Sequence, residues 1–213
     1  VRFSKHGSIR YIGHLDVMRY FQKVLKRADI DVSYTGGFSP HQILTFAQPL
    51  GVGIESDGEY MDIKLESPMD CEEIKTRINA NSVPGIQAIS VNPLPDSVAN
   101  AMASIAAAEY FVRIRPEKRP KWTYTNNLSD TYEHEQIKAY ISAFLKQEAI
   151  LLTKKGKAGL REVDIKPGIF DFCWDIAENG FYMMHDTEAF HEFRVRSLHL
   201  LLFLCLLVHL MPL

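Results

Sequence analysis

Three side chains near the N-terminus are of types that move protons. His14 and Asp16 stand two residues apart, and His41 follows a Gly36-Gly37 bend. An imidazole titrates near neutral pH, and a carboxylate can orient it. With Lys5 or Arg10 holding a phosphate, such a set would suit RNA cleavage through a ribose 2′-hydroxyl. The catalytic candidates are therefore His14, Asp16 and His41. The bland alternative is local: Asp16 caps a helix, and His14 packs where that helix begins.

A second chemistry is phosphate recognition. Bases stand beside aromatics at Arg2-Phe3, Arg10-Tyr11, Arg19-Tyr20-Phe21, around Phe111 with Arg113 and Arg115, and from Lys118 to Tyr124. Lys154, Lys155 and Arg161 add a basic loop. Cations neutralise phosphates, and aromatic faces stack unpaired bases. The candidate RNA contacts are Lys5, Arg10, Arg19, Ser39, Lys154, Lys155 and Arg161. Such interleaving also arises on any strand with one apolar face. The sequence pI near 6.5 is low for a dedicated nucleic-acid binder.

Other chemistries have weaker support. Gly36-Gly37-Phe38-Ser39 has neither Walker nor dinucleotide-loop spacing, and a glycine pair usually makes only a turn. No H-x-x-x-H or C-x-x-C pair occurs, so no metal site is read from spacing. Cys71, Cys173 and Cys205 are far apart and odd in number, which argues against a disulfide framework and for a reducing, cytoplasmic location.

Net charge is −2, but it is unevenly spread. Residues 1–28 carry seven bases against Asp16, a formal +6, and residues 29–74 carry ten acids against Lys64, a formal −9. A basic end beside an acidic stretch can serve a charged partner, or be two solvated faces of one domain.

The elements that must position these groups follow from periodicity. Val1–Lys5 reads as a strand and His6-Gly7-Ser8 as a turn. Leu15, Met18, Phe21, Leu25 and Ala28 recur at helical steps, with Arg19, Lys23, Lys26 and Arg27 opposite. Asp31–Tyr34 and Gln42–Phe46 read as short strands around the glycine bend. Residues 59–66 alternate with Met61, Ile63 and Leu65 inward. A helix starts at Ser67-Pro68-Met69-Asp70 and runs to Asn79, and Ile86–Val91 is a strand. The order β-α-β-β-α-β is that of a ferredoxin-like split unit, with two helices on one sheet face and the other face left open.

The second half begins with a strand from Glu109, a helix over residues 133–147, and strands near 149–153 and 162–166. A hairpin follows around Asn179-Gly180. The expected architecture is α+β: a ferredoxin-like domain over 1–92, a linker over 93–108 and a second α/β domain over 109–184. A tandem ferredoxin-like pair is one form this can take. Residues 185–213 are an atypical apolar tail. Its run from Ser197 to Leu210 is shorter than the roughly 18–20 residues that span a bilayer and holds two histidines, so no membrane partner is read from it.

Three segments together resemble a known family. They are Arg2-Phe3-Ser4-Lys5-His6-Gly7, Arg10-Tyr11-Ile12-Gly13-His14-Leu15-Asp16, and Gly36-Gly37-Phe38-Ser39-Pro40-His41 with Pro49-Leu50-Gly51-Val52-Gly53. They resemble the radical-SAM-linked bacterial proteins, a domain of unknown function encoded beside, or fused to, a radical SAM iron–sulfur protein. Lys154-Lys155 and residues 161–167 are similar to its second motif, and the likeness covers about residues 1–184. It implies an accessory protein in RNA or ribosome metabolism. This chain has no C-x-x-x-C-x-x-C motif, so the iron–sulfur cluster and S-adenosylmethionine are expected in the partner and no cofactor here. After Met184 the sequence departs from the family, and a shifted reading frame is the expectation for the tail.

The leading function is an accessory protein that binds RNA, or presents substrate, to a radical SAM partner. The alternative is an RNA-processing endonuclease using His14 and His41. A small-molecule-binding module is a third, weaker option.

Overall fold

The computed structural model describes residues 1–48, 50–95, 97–113, 130–156, 159–178 and 180–186. The side chains of residues 130–133 and 154–156 are not included. The chain divides into two compact units, Val1–Ile105 and Ala106–Leu213. Helices and antiparallel sheets make both α+β.

The first unit runs β1 (Arg2–Lys5), a 3-10 turn (Gly7–Tyr11), α1 (His14–Arg27), β2 (Leu44–Phe46), β3 (Ser56–Ile63), α2 (Cys71–Ala80), β4 (Ile86–Ser90) and α3 (Ala101–Ser104). The sheet order is β2-β3-β1-β4, with every neighbouring pair antiparallel. β1 and β2 therefore run the same way with β3 between them. β3 and β4 likewise run together, with β1 between.

Sequence pattern explains these elements. α1 buries Val17, Phe21, Val24 and Leu25, spaced at four, three and one residues so that they share a stripe. They meet Phe3, Phe46 and Met61 from the sheet. Phe3 and Phe21 lie edge to face at 4.7 Å, and Phe46 is within about 6 Å of both. Each such side chain contributes about 1.5–3 kcal/mol on burial. α2 is stopped at its start by Asp70, whose carboxylate accepts from the N–H groups of Glu72 and Glu73 at 3.0 and 3.1 Å. Gly85 has φ +97°, and a Cβ there would lie 2.5 Å from the His6 carbonyl oxygen. That tight approach lets His6 N–H reach the Gly85 carbonyl at 2.8 Å and tie the end of β1 to the start of β4.

Several expectations shift. Asp31–Tyr34 gives only isolated bridges, Val32 to Leu65 and Tyr34 to Gln42. β3 begins three residues before the expected Glu59 and ends at Ile63. The segment read as a linker contributes α3 to the first unit. The Ala101 N–H donates to Asp62 at 2.6 Å, on the sheet face away from α1 and α2. Asp16 does not cap α1: Gly13 holds that position, with no side-chain cap bond.

The second unit runs β5 (Ala107–Arg113), α4 (Asp130–Leu145), β6 (Leu151–Gly156), β7 (Gly159–Asp164), β8 (Ile169–Asp175) and β9 (Gly180–Asp186). β5-β9-β8 form one antiparallel sheet, and β6-β7 form a hairpin. Phe144 of α4 packs with Ile165, Phe172, Trp174 and Phe181. The indole N–H of Trp174 donates to His134 Nδ1 at 2.9 Å. A second β-α-β-β-α-β order is not seen among the described residues. β7 and β8 are joined only by the 3-10 turn Lys166–Gly168, in which Pro167 sits near the first position, and β8 pairs directly with β9. Asn179 and the whole of 187–213, with the frame reading placed on the tail, lie outside the described residues, as do Lys118–Tyr124.

Candidate functional site

The two histidines lie toward opposite ends of β2. His14 opens α1, and its ring meets Phe46, at the end of β2, edge to face at 5.3 Å. His41 precedes the start of β2, in the loop closed by the Tyr34–Gln42 bridge. Residues 41 to 46 are five steps of extended chain, about 16 Å at 3.3 Å per residue. There His41 Nδ1 lies 3.0 Å from Thr35 Oγ1 and 3.4 Å from the Ser39 carbonyl oxygen. Asp16 is solvent-facing and pairs with Arg19 at 3.3 Å. Among the described residues no bond joins His14 to Asp16 or His41, so the three expected catalytic groups are not brought together.

What His14 does adjoin is a small recess lined by Lys5, Val17, Phe46, Gln48, Leu50 and Glu59. Its free volume is about 10 Å³, room for about one water. Alternation along β1 places Lys5 on the same inner face as Phe3, and only 1% of its surface is exposed. The Lys5 ammonium donates to the Ile12 carbonyl at 3.1 Å. Burial lowers the Lys5 pKa, with Glu59 opposing. Burial also raises the Glu59 carboxyl, against the Ser56 hydroxyl that donates to it at 2.8 Å and against Lys5. His14 is lowered by burial and then by Lys5. Lys5, expected among the RNA contacts, is thus an internal charge beneath α1 and is not presented to solvent. Glu59 was missed. The parity of Met61 already puts residue 59 on the inner face, so the signal was in the alternation.

The remaining candidates sort by their partners. Arg10 donates to Glu55 at 2.8 Å and to the Tyr11 hydroxyl at 2.9 Å, and it stacks over the Tyr11 ring. The Gly7 N–H and Arg10 hold the Glu55 carboxyl below its ordinary value. Ser39 is exposed in the Tyr34–Gln42 loop, beside a fully exposed Phe38. Lys154 and Lys155 fall on β6, with side chains outside the described residues. Arg161 is exposed on β7, opposite Lys154 in register.

Arg19 belongs to a larger feature. Arg19, Lys23, Lys26 and Arg27 are all exposed on the solvent side of α1, at steps of four, three and one. Arg27 also donates to the Asn81 carbonyl at 3.1 Å. Asp16 is the one acid in α1. The Phe21 stripe points these bases outward, so they are placed by the core itself.

The second unit has its own exposed surface, which sequence reasoning also missed. Register across β5-β9-β8 sets three rows on the face away from Phe172 and Phe181. They are Glu109–Met184–Asp171, Phe111–Tyr182–Cys173 and Arg113–Gly180–Asp175. The Phe111 ring lies over Gly180, where a Cβ would approach it to 2.4 Å. It meets Tyr182 at 4.7 Å.

The geometry defines a two-unit α+β protein with a basic helix face and, among the described residues, no assembled acid–base set. Nor do those residues hold a group of three or more His, Cys, Asp or Glu side chains that could bind a metal ion, or a helix long and apolar enough to cross a membrane. The chain belongs to the family described as uncharacterized protein conserved in bacteria (DUF2344), which matches residues 1–196. The match reaches past Met184 and stops just before the leucine-rich run at Ser197. Comparison with curated proteins gives no match.

Proposed function

We propose that this protein is a non-catalytic accessory factor that holds single-stranded RNA along the outer face of α1 and presents it to a radical SAM iron–sulfur partner. The observation that carries the RNA part is the exposed row Arg19, Lys23, Lys26 and Arg27. Four cations on one rigid face can each neutralise a backbone phosphate without reading sequence. The partner rests on the N-terminal motifs and their resemblance to radical-SAM-linked proteins. In this proposal the cluster and S-adenosylmethionine belong to that partner, and the setting is cytoplasmic.

The first unit is read here as ferredoxin-like. Two split β-α-β crossovers, interleaved as β2-β3-β1-β4, support that assignment. The separation of His14 from His41 favours binding over strand cleavage.

The test is to incubate the purified chain with cellular RNA, with and without the radical SAM protein. Retention of intact RNA and formation of a complex with the partner are expected. Cleavage by this chain alone, abolished in His14→Ala or His41→Ala, would contradict the accessory role.

A further inference from the structure

The face of the β5-β9-β8 sheet away from Phe172 and Phe181, exposed among the described residues, is chemically unlike α1. Its middle holds Phe111, Tyr182 and Met184, with Phe111 and Met184 38% and 39% exposed. Acids flank them at Glu109, Asp171 and Asp175. The one base of the face among the described residues, Arg113, stacks over Phe111 at 5.3 Å and is paired with Glu178 at 2.6 Å, so its charge is already met. Cys173 lies in the middle row, exposed. Its thiol is raised first by desolvation and then by Asp171 and Asp175, with Glu109 adding to it, so these carboxylates act on one shared surface.

Aromatic and methionine side chains inside a polar border form the usual anatomy of a protein interface. An acidic border repels phosphate and favours a cationic partner. We infer that this face docks a basic segment of a partner protein, one whose apolar side chains cover Phe111, Tyr182 and Met184. The inference rests on the accessory role and assigns the partner a surface separate from the RNA surface on α1. RNA and partner then engage opposite charges on different units.

Cys173 is a built-in reporter. The full chain is alkylated with iodoacetamide at mildly alkaline pH, alone and with saturating radical SAM protein, and the Cys173 peptide is quantified by mass spectrometry. In the free chain Cys173 is exposed and is expected to react at a measurable rate, slowed by its raised thiol. With nine-tenths of the chain bound, its rate is expected to fall about tenfold by simple occupancy. Met184→Lys and the double reversal Glu109→Lys with Asp171→Lys, all at exposed positions, are expected to weaken the complex at least about tenfold, as for central interface residues. Circular dichroism confirms that the variants fold.

A complex that forms with Cys173 unprotected and with unchanged variant affinities would overturn the docking surface while leaving the accessory role standing. Protection already present in the free chain would mean that the chain's own residues cover the face, and would overturn it too. Protection by a single-stranded RNA probe alone would show the wrong class of partner. Absence of any complex would remove both the docking surface and the accessory role.

Discussion

Replacing Lys23 and Lys26 together by alanine isolates the claim that α1 binds phosphates. Both are exposed on a helix whose opposite side is fixed by Phe21 and Leu25. Alanine is the best helix former, and such surface changes usually alter stability by no more than about 0.5 kcal/mol. Each neutralised phosphate of a single strand contributes a slope of about −0.7 in log K against log salt. Four cations give about −2.8, and the double variant about −1.4, on the same rule. Between 50 and 200 mM salt, affinity should then fall about fifty-fold for the parent and about sevenfold for the variant. Fluorescence anisotropy with a labelled single-stranded RNA of about twenty nucleotides reads both slopes. A parent slope near zero, or an unchanged slope in the variant, would refute the assignment of α1.

Other consequences are independent of RNA. Lys5→Ala should destabilise the fold by about 3 kcal/mol in urea titration, because it leaves Glu59 desolvated with a cavity beside it. Lys5→Met keeps the volume but leaves Glu59 equally uncompensated, so it should recover only the cavity part of that cost and leave RNA affinity unchanged. His14 has its folded pKa below the ordinary 6.5. Its neutral form is favoured by folding, so its contribution is full above pH 6.5 and is lost as pH falls through the lower folded value. The urea midpoint of His14→Phe should accordingly vary less with pH in that window than the parent's. Asp70→Ala removes the two cap bonds of α2 and should cost about 1 kcal/mol by thermal melting.

The reach of the sequence differed from element to element. α1 was legible because its apolar steps and basic side both repeat at helical spacing, and the structure ends it at Arg27, one residue before Ala28. α2 was legible through Asp70, and β4 as the strand read over Ile86–Val91, which the structure ends at Ser90. Asp31–Tyr34 was over-read as a strand, since short apolar alternation cannot tell an isolated bridge from a ladder. In the second half, periodicity found most strands but not their pairing. β9 lies between β5 and β8 although β6, β7 and β8 intervene in sequence between β5 and β9. Strand order is set by long-range contacts and has no local signature.

The candidate site shows the same limit. Residue types suggested His14, Asp16 and His41 as one set, and only register could show that β2 stands between the two histidines. Lys5 was read by its charge when its parity with Phe3 placed it inside. The face built by Phe111, Tyr182 and Cys173 required the register of three strands, two of them distant in sequence from the first.

The most direct measurement is photocrosslinking of the full chain to single-stranded RNA carrying 4-thiouridine, with crosslinked peptides identified by mass spectrometry. Crosslinks concentrated in His14–Arg27, and lost with Lys23→Ala and Lys26→Ala, are the expected result. Crosslinks centred on the β5-β9-β8 face, or RNA binding that leaves α1 unlabelled, would contradict it.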